Sequence, residues 1–339
     1  MDLELTDEQG LLAESVQQLL AKSSGPAAWP ALVDFGVLEL ASDVDGEVGA
    51  VELALVARAV GERLEAVPLI DTAATLYATR GLPDAFAGTV SLALLEPGGG
   101  WGLEPLSTSL AIAGLEGSKY SLGAAAADSL LVLADDGGGR RLVVVATDAP
   151  GVAIAPAQGI DPSVEPSLVT LSAVAPGAVL DATEAVLARL LAIGSVMAAA
   201  EAAGAAAAVL ELARRYAGER KQFGRTIGSF QALRHLLADM YVKQDSAWST
   251  VLFAAAALDD GTDEALRTAS IAKAYVSRAA REVAQDALQV FGGIAFTAEH
   301  PAHRFLRRIL ARGQQFGDAR HHERAIGRAL VGDATGAPA

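Results

Sequence analysis

The chain has 339 residues, 52% hydrophobic and 20% charged, with a formal net charge of −15 and no cysteine. This is the composition of a folded chain, and its length suffices for two or three domains sharing a large buried core. The acidic balance speaks against a nucleic-acid partner, because phosphate binding needs a basic face and only Arg304 to Arg312 forms a local run of cations. Without cysteine there are no disulfides, thiolate metal sites or thiol nucleophiles, which suits a cytoplasmic protein.

The N-terminus is acidic from Asp2 onward, unlike the basic opening of a signal peptide. Thr6-Asp-Glu-Gln9 has the spacing of a capping box and predicts a helix to about Ala21, with Leu11, Leu12, Val16, Leu19 and Leu20 on one face. Helical periodicity returns at Glu52 to Glu65 and at Asp71 to Arg80, and Gly81-Leu-Pro-Asp84 closes this first part as a turn.

From Thr89 the period changes to short β-favouring runs at 89–95, 109–113, 130–134, 142–146, 152–154 and 167–171. Between them lie clusters such as Pro97-Gly-Gly-Gly100 and Asp135-Asp-Gly-Gly-Gly139. The expectation is an antiparallel sheet or barrel; neither glycine cluster opens a helix, so neither reads as a phosphate loop. Helical patterns then return at about 181–217, 229–258, 263–289, 301–312 and 318–331, long segments with short connections that predict a helical bundle. The span Ala185 to Ala213 is apolar but carries Arg189, Glu201 and Glu211, so a buried helix is expected rather than a membrane span. The expected division is an N-terminal helical domain at 1–86, a middle β-domain at 87–180, a C-terminal four-helix-bundle domain at 181–332 and a disordered tail at 333–339.

Two segments carry the chemistry. Arg220-Lys-Gln-Phe223-Gly224 supplies a guanidinium able to meet a phosphate with two parallel hydrogen bonds, beside an apolar contact from Phe223. Gln289-Val-Phe-Gly292-Gly293 offers an amide donor and acceptor, and two glycines whose backbone N–H groups can approach a cofactor without a Cβ in the way. Each alone could be a surface arginine or a glycine turn between helices.

In order, Tyr216-Ala-Gly-Glu-Arg220-Lys-Gln-Phe223-Gly224, Phe230-Gln231, Leu237-Ala-Asp-Met240 and Gln289-Val-Phe-Gly-Gly293-Ile-Ala-Phe-Thr297 resemble the acyl-CoA dehydrogenase family. Weaker echoes stand at Trp29 to Gly36, Leu95-Glu96-Pro97 and Gly117-Ser-Lys119. The resemblance implies a helical–β–helical fold and FAD as cofactor. In such proteins each FAD lies across a subunit interface, and Arg220, Phe223, Gln289, Gly292 and Gly293 match the positions that reach a neighbour's cofactor.

The positions that would hold this chain's own flavin depart from the family pattern. Gly98-Gly-Gly-Trp101-Gly102 replaces a small polar loop, and Ser121 and Gly123 replace a Trp-x-Thr or Trp-x-Ser segment. The Glu-Gly-Thr turn that bears the family's base corresponds to Phe316-Gly317-Asp318. The family's second base position falls at Gly194, between Ile193 and Ser195. No catalytic residue is therefore assigned. Glu201 is the low-odds substitute, either facing a cavity or forming the polar stripe of its helix; Asp318 suits a helix cap, and Glu323 an ion pair. His300, His303, His321 and His322 show no metal-ligand register, so no metal is assigned.

The chain thus resembles the base-lacking subunit of heterotetrameric (α2β2) acyl-CoA dehydrogenases of steroid side-chain degradation. The resemblance implies an acyl-CoA substrate, a homologous partner subunit carrying the catalytic Glu, a FAD shared with that partner, an electron-transfer partner, and no membrane or nucleic-acid ligand. Two other readings stay open: a self-sufficient acyl-CoA dehydrogenase with an unusual base, and a non-enzymatic interaction protein on the same fold.

Overall fold

The computed structural model describes residues 4–43, 49–80, 86, 88–262 and 264–335. In chain order its helices are α1 (Asp7–Lys22), α2 (Ala28–Asp34), α3 (Val37–Ser42), α4 (Ala50–Arg63) and α5 (Leu69–Ala78). Eight strands follow: β1 (Val90–Ala93), β2 (Ser109–Ala111), β3 (Gly114–Leu122), β4 (Ser129–Asp135), β5 (Arg140–Ala146), β6 (Val152–Pro156), β7 (Pro166–Val174) and β8 (Val179–Asp181). Then come α6 (Glu184–Glu219), the hairpin β9 (Lys221–Gln222) and β10 (Arg225–Thr226), α7 (Gln231–Asp259), α8 (Ala265–Phe291), α9 (Ala302–Gln314) and α10 (Ala319–Thr335). The expected turn at 81–84 lies outside the described residues. Of the expected tail, 333–335 end α10 and 336–339 lie outside them.

The chain separates into two compact units, neither contiguous in sequence. One comprises Met1–Phe35, Gly49–Ala66 and Ser195–Ala339; the other comprises Gly36–Val48 and Val67–Gly194, so the division falls inside α6.

The second unit is built on the sheet. Strand order is β6-β7-β3-β2-β4-β5-β8, with β1 also paired to β4. Most pairings are antiparallel as expected, but β1–β4 and β2–β4 are parallel, which makes the sheet mixed. The reason is topological: between β1 and β4 the chain makes the β2–β3 hairpin and returns in the original direction, a crossover rather than a tight turn. Strands β4 and β5 are buried on both faces over Leu130–Ala134 and Leu142–Val145, and on one face Leu130, Val132 and Ala134 of β4 cluster with Val143 and Val145 of β5 and Val169 and Leu171 of β7. Strands β3 and β8 were not expected; β3 is diluted by glycine and charge, and β8 has only three residues.

The helical unit starts with the anticipated cap. Thr6 Oγ1 accepts from Gln9 N at 3.2 Å, and Gln9 Oε1 accepts from Thr6 N at 3.1 Å. Val16 and Leu20 of α1 are buried, whereas Leu11, expected on the same face, is 63% exposed. The N-terminus of α4 is capped from afar by Asp259, whose carboxylate accepts from Ala50 N at 2.6 Å and Val51 N at 3.1 Å. Helices α4 and α6 touch backbone to backbone: a Cβ on Gly61 would stand 2.0 Å from Glu201 O, and one on Gly204 2.1 Å from Arg58 O. α6 is long and apolar enough to cross a membrane, yet 89% of its apolar window is buried inside the protein, as in a core helix.

Candidate cofactor site

α6 ends at Glu219, and the next residue is Arg220. Its backbone is held on both sides, donating to Tyr216 O at 2.8 Å and accepting from Ile227 N at 2.8 Å. The side chain is exposed. Cations crowd this end of the helix, and most are engaged. Arg214 and Arg215 pair with Glu211, the Arg225 guanidinium stacks 4.0 Å from the Phe230 ring centroid, and Arg234 donates to Gly228 O. Arg220 and its neighbour Lys221 have no side-chain partner among the described residues.

The hairpin explains how Phe223 is presented. Gln222 pairs with Arg225, leaving Phe223 and Gly224 as a two-residue turn with φ of 51° and 79°. Positive φ at both central positions marks a type I′ turn, which favours Asn-Gly. A phenylalanine in the left-handed region costs about 1 kcal/mol, so local turn preference does not select it. The turn holds its ring 92% exposed, edge-on to Phe230 at 6.2 Å between centroids.

The second segment closes α8. Gln289 and Gly293 are exposed, and Gly292 has φ 66° and ψ −143°, a conformation that excludes a Cβ. A Cβ on Gly293 would meet nothing within 4 Å, so open space already adjoins its backbone. Aromatic packing joins the two segments: Tyr216, one turn before Arg220, lies 5.3 Å from Phe291, whose ring is in turn 4.3 Å from His300. Arg220, Phe223, Gln289, Gly292 and Gly293 therefore occupy one end of the helical unit. Two unpaired cations, an exposed aromatic ring and open glycine backbone fit the pyrophosphate and apolar portions of a flavin dinucleotide.

The base positions are different in kind. Phe316 is 2% exposed with φ 61°, and Gly317 follows at φ 108°. His322 Nε2 lies 3.0 Å from Phe316 O, and burial pushes this imidazole down to about 4, so the neutral ring donates to that carbonyl. Gly194 is buried within α6. Glu201 does not form an exposed polar stripe on α6. It is 1% exposed and meets Arg308 at 2.7 Å and Arg312 at 3.0 Å, because α9 packs two arginines against an α6 face that is otherwise alanine. Arg308, wholly buried, also donates to Glu65 O at 2.9 Å and caps the end of α4. Both arginines and the surrounding helices enclose this carboxylate, so no substrate reaches it. Asp318 caps α10 by accepting from His321 N at 2.8 Å, and Glu323 pairs with Arg278.

Two features escaped the sequence reading. Lys273 of α8 is fully buried and donates to Arg312 O at 2.8 Å, Gly313 O at 3.0 Å and Ser277 Oγ at 3.3 Å, which caps the end of α9. Its signal was a lysine on the face shared by Ala269, Ala272, Val276 and Ala280, all buried. In the sheet unit the two weak sequence echoes prove to be one object. Lys119 Nζ lies 2.8 Å from Glu96, which also accepts from Ser107 Oγ at 2.6 Å and Thr108 N at 2.9 Å. Burial raises the Glu96 pKa, but the hydrogen bonds from Lys119, Ser107 and Thr108 outweigh it and bring the group to about 2. Ser121 is buried, its hydroxyl 2.7 Å from that of Ser91, and Gly123 sits in a turn at φ 74°. Among the described residues no group of three or more His, Asp or Glu is placed to hold a metal ion.

Residues 184–331 match the family profile for the acyl-CoA dehydrogenase C-terminal domain. The chain is similar to the acyl-CoA dehydrogenase IpdE2 of Mycolicibacterium smegmatis, 39% identical over 128 residues that cover 38% of this chain and 39% of that protein. It therefore spans well under half the length of that relative. Among solved structures it resembles the ChsE4-ChsE5 complex from Mycobacterium tuberculosis, with a TM-score of 0.84 and 24% identity over 98% of this chain and 99% of that one. The Tcur3481-Tcur3483 steroid ACAD gives a TM-score of 0.86 at 23% identity, over 97% of this chain and 99% of that chain. Residues 184–331 thus belong to the acyl-CoA dehydrogenase family, and the chain as a whole has that family's fold.

Proposed function

We propose that this chain is a subunit of a heteromeric, FAD-dependent acyl-CoA dehydrogenase, and that it lacks its own catalytic base and completes the flavin site of a partner subunit that has one. The observation that carries this reading is the contrast at the two sites. Arg220, Lys221, Phe223, Gln289 and Gly293 are all exposed, and Arg220 and Lys221 have no side-chain partner among the described residues. The turn where a base would stand holds a buried phenylalanine, and Glu201, a buried acid on α6, is bound by two arginines.

Bound FAD supplies a hydride acceptor for the acyl β-carbon, while a carboxylate takes the α-proton. In this reading the carboxylate belongs to the partner. Arg220, with Lys221 beside it, neutralises the pyrophosphate; Phe223 covers an apolar part of the cofactor and excludes water; Gln289 and the Gly292-Gly293 backbone donate hydrogen bonds. The middle β-domain, 87–180, serves as scaffold, its Ser121 hydroxyl bonded inward to Ser91. The acyl group proposed is a steroid side-chain CoA thioester oxidised in the cytoplasm; its support is the likeness in fold to a steroid ACAD, an argument by analogy.

The test is the flavin-to-protein ratio of the chain purified alone and purified after co-expression with a base-bearing family member. Colourless chain alone and a yellow complex with fewer flavins than subunits are expected. A full complement of FAD on the chain alone would sink the proposal in favour of a self-sufficient enzyme, and no flavin with any partner would favour an interaction protein.

A further inference from the structure

α10 carries a second outward face that the flavin reading does not use. Arg320, Arg324 and Arg328 recur every four residues, and all three are exposed, with no side-chain partner among the described residues. Like charges at this spacing destabilise a helix. The nearby carboxylates are engaged elsewhere: Glu323 pairs with Arg278 of α8, and Asp318 caps the helix. On the same face stands Gly327, where a Cβ would meet nothing within 4 Å. No contact among the described residues calls for glycine there, and glycine weakens a helix interior. At the far end Leu330 is 56% exposed and Val331 64% exposed.

One face thus combines two choices that cost the isolated chain stability with exposed apolar side chains. Arginine rows, a small residue permitting close approach, and apolar contacts at the edge are the composition of a protein interface. In a chain of net charge −15, this row is a local cationic surface that attracts carboxylates.

We propose that the Arg320–Arg324–Gly327–Arg328 face of α10 docks a carboxylate-bearing surface of a partner protein, with guanidinium–carboxylate pairs along the row and the partner's backbone close to Gly327. The probe is a fluorescent helical peptide bearing glutamates at the same four-residue spacing, titrated with the full-length chain at low and high salt. Binding that weakens with salt is expected, and at least tenfold weaker binding by R320E/R324E/R328E. Gly327→Leu, which keeps every charge and has room for its side chain, should also weaken binding. The inference falls if the wild-type chain does not bind the peptide, if the reversal leaves binding unchanged, or if a single-stranded oligonucleotide of equal charge binds as well. It falls too if sedimentation shows self-association that the reversal abolishes, since the occupant would then be a second copy of the chain.

Discussion

The hairpin end of α6 and the middle of the same helix treat charge in opposite ways. At the end, Arg220 and Lys221 project from a backbone fixed at both sides of Arg220, with no side-chain partner among the described residues. In the middle, Glu201 is 1% exposed and Arg308 and Arg312 close over it. An exposed cation without a partner contributes little to stability and is free for a ligand. A buried acid between arginines is tied to the fold and unavailable as a base. In the proposed reading, this difference separates a chain that lends contacts to a cofactor from one that performs proton abstraction itself.

The comparison can be broken at four points. Glu201→Ala should have the largest effect, because it leaves two buried guanidiniums uncompensated; a loss of about 3–5 kcal/mol is expected in chemical denaturation. A near-neutral result would mean that Glu201 is not tied to the fold and would reopen it as a base. Next is Glu96, whose folded pKa of about 2 lies below its ordinary 4.5. A depressed carboxylate pKa stabilises the fold above the unfolded value, and the stabilisation is lost as pH falls from about 4.5 toward 2. It amounts to roughly 3 kcal/mol, and Lys119→Met should flatten much of that acid limb in denaturation curves measured between these pH values.

Phe223→Asn is expected to act in the other direction. Asparagine suits the first position of a type I′ turn, so stability should rise by about 0.5–1 kcal/mol while flavin retention by the complex falls. Stability gained without loss of flavin would remove Phe223 from the cofactor site. The smallest effect on stability belongs to Arg220→Ala, within about 0.5 kcal/mol because the side chain has no internal contact. Its readout is FAD, which should be lost from the co-purified complex; an unchanged flavin content would remove Arg220 from the site.

Much of the helical architecture is legible along the chain. Thr6 and Gln9 announce α1, and the apolar period together with the order of the Arg220 and Gln289 segments outlines the bundle and the end proposed to meet a cofactor. The sheet is less legible because strand pairing is non-local. Nothing near Val90 says that it lies parallel to Ser129, and the charge and glycine in β3 hide a strand that pairs along most of its length with β7. Glu96 and Lys119 are visible as separate short motifs, yet only the packing of their strands makes them a pair.

By itself the sequence determined where the helical segments run and which side chains stand at Arg220, Gln289, Phe316 and Gly194, since side-chain chemistry and local period reside in the residues themselves. Tertiary structure decided what each charged group is free to do. Glu201 is enclosed by an α9 residue 107 positions away in sequence and Lys273 by α9 residues 39 and 40 positions away, whereas Arg220 and Arg320 are left facing outward. Partnership of that kind depends on how helices pack, and packing is settled by apolar burial over the whole unit rather than by any short stretch of chain.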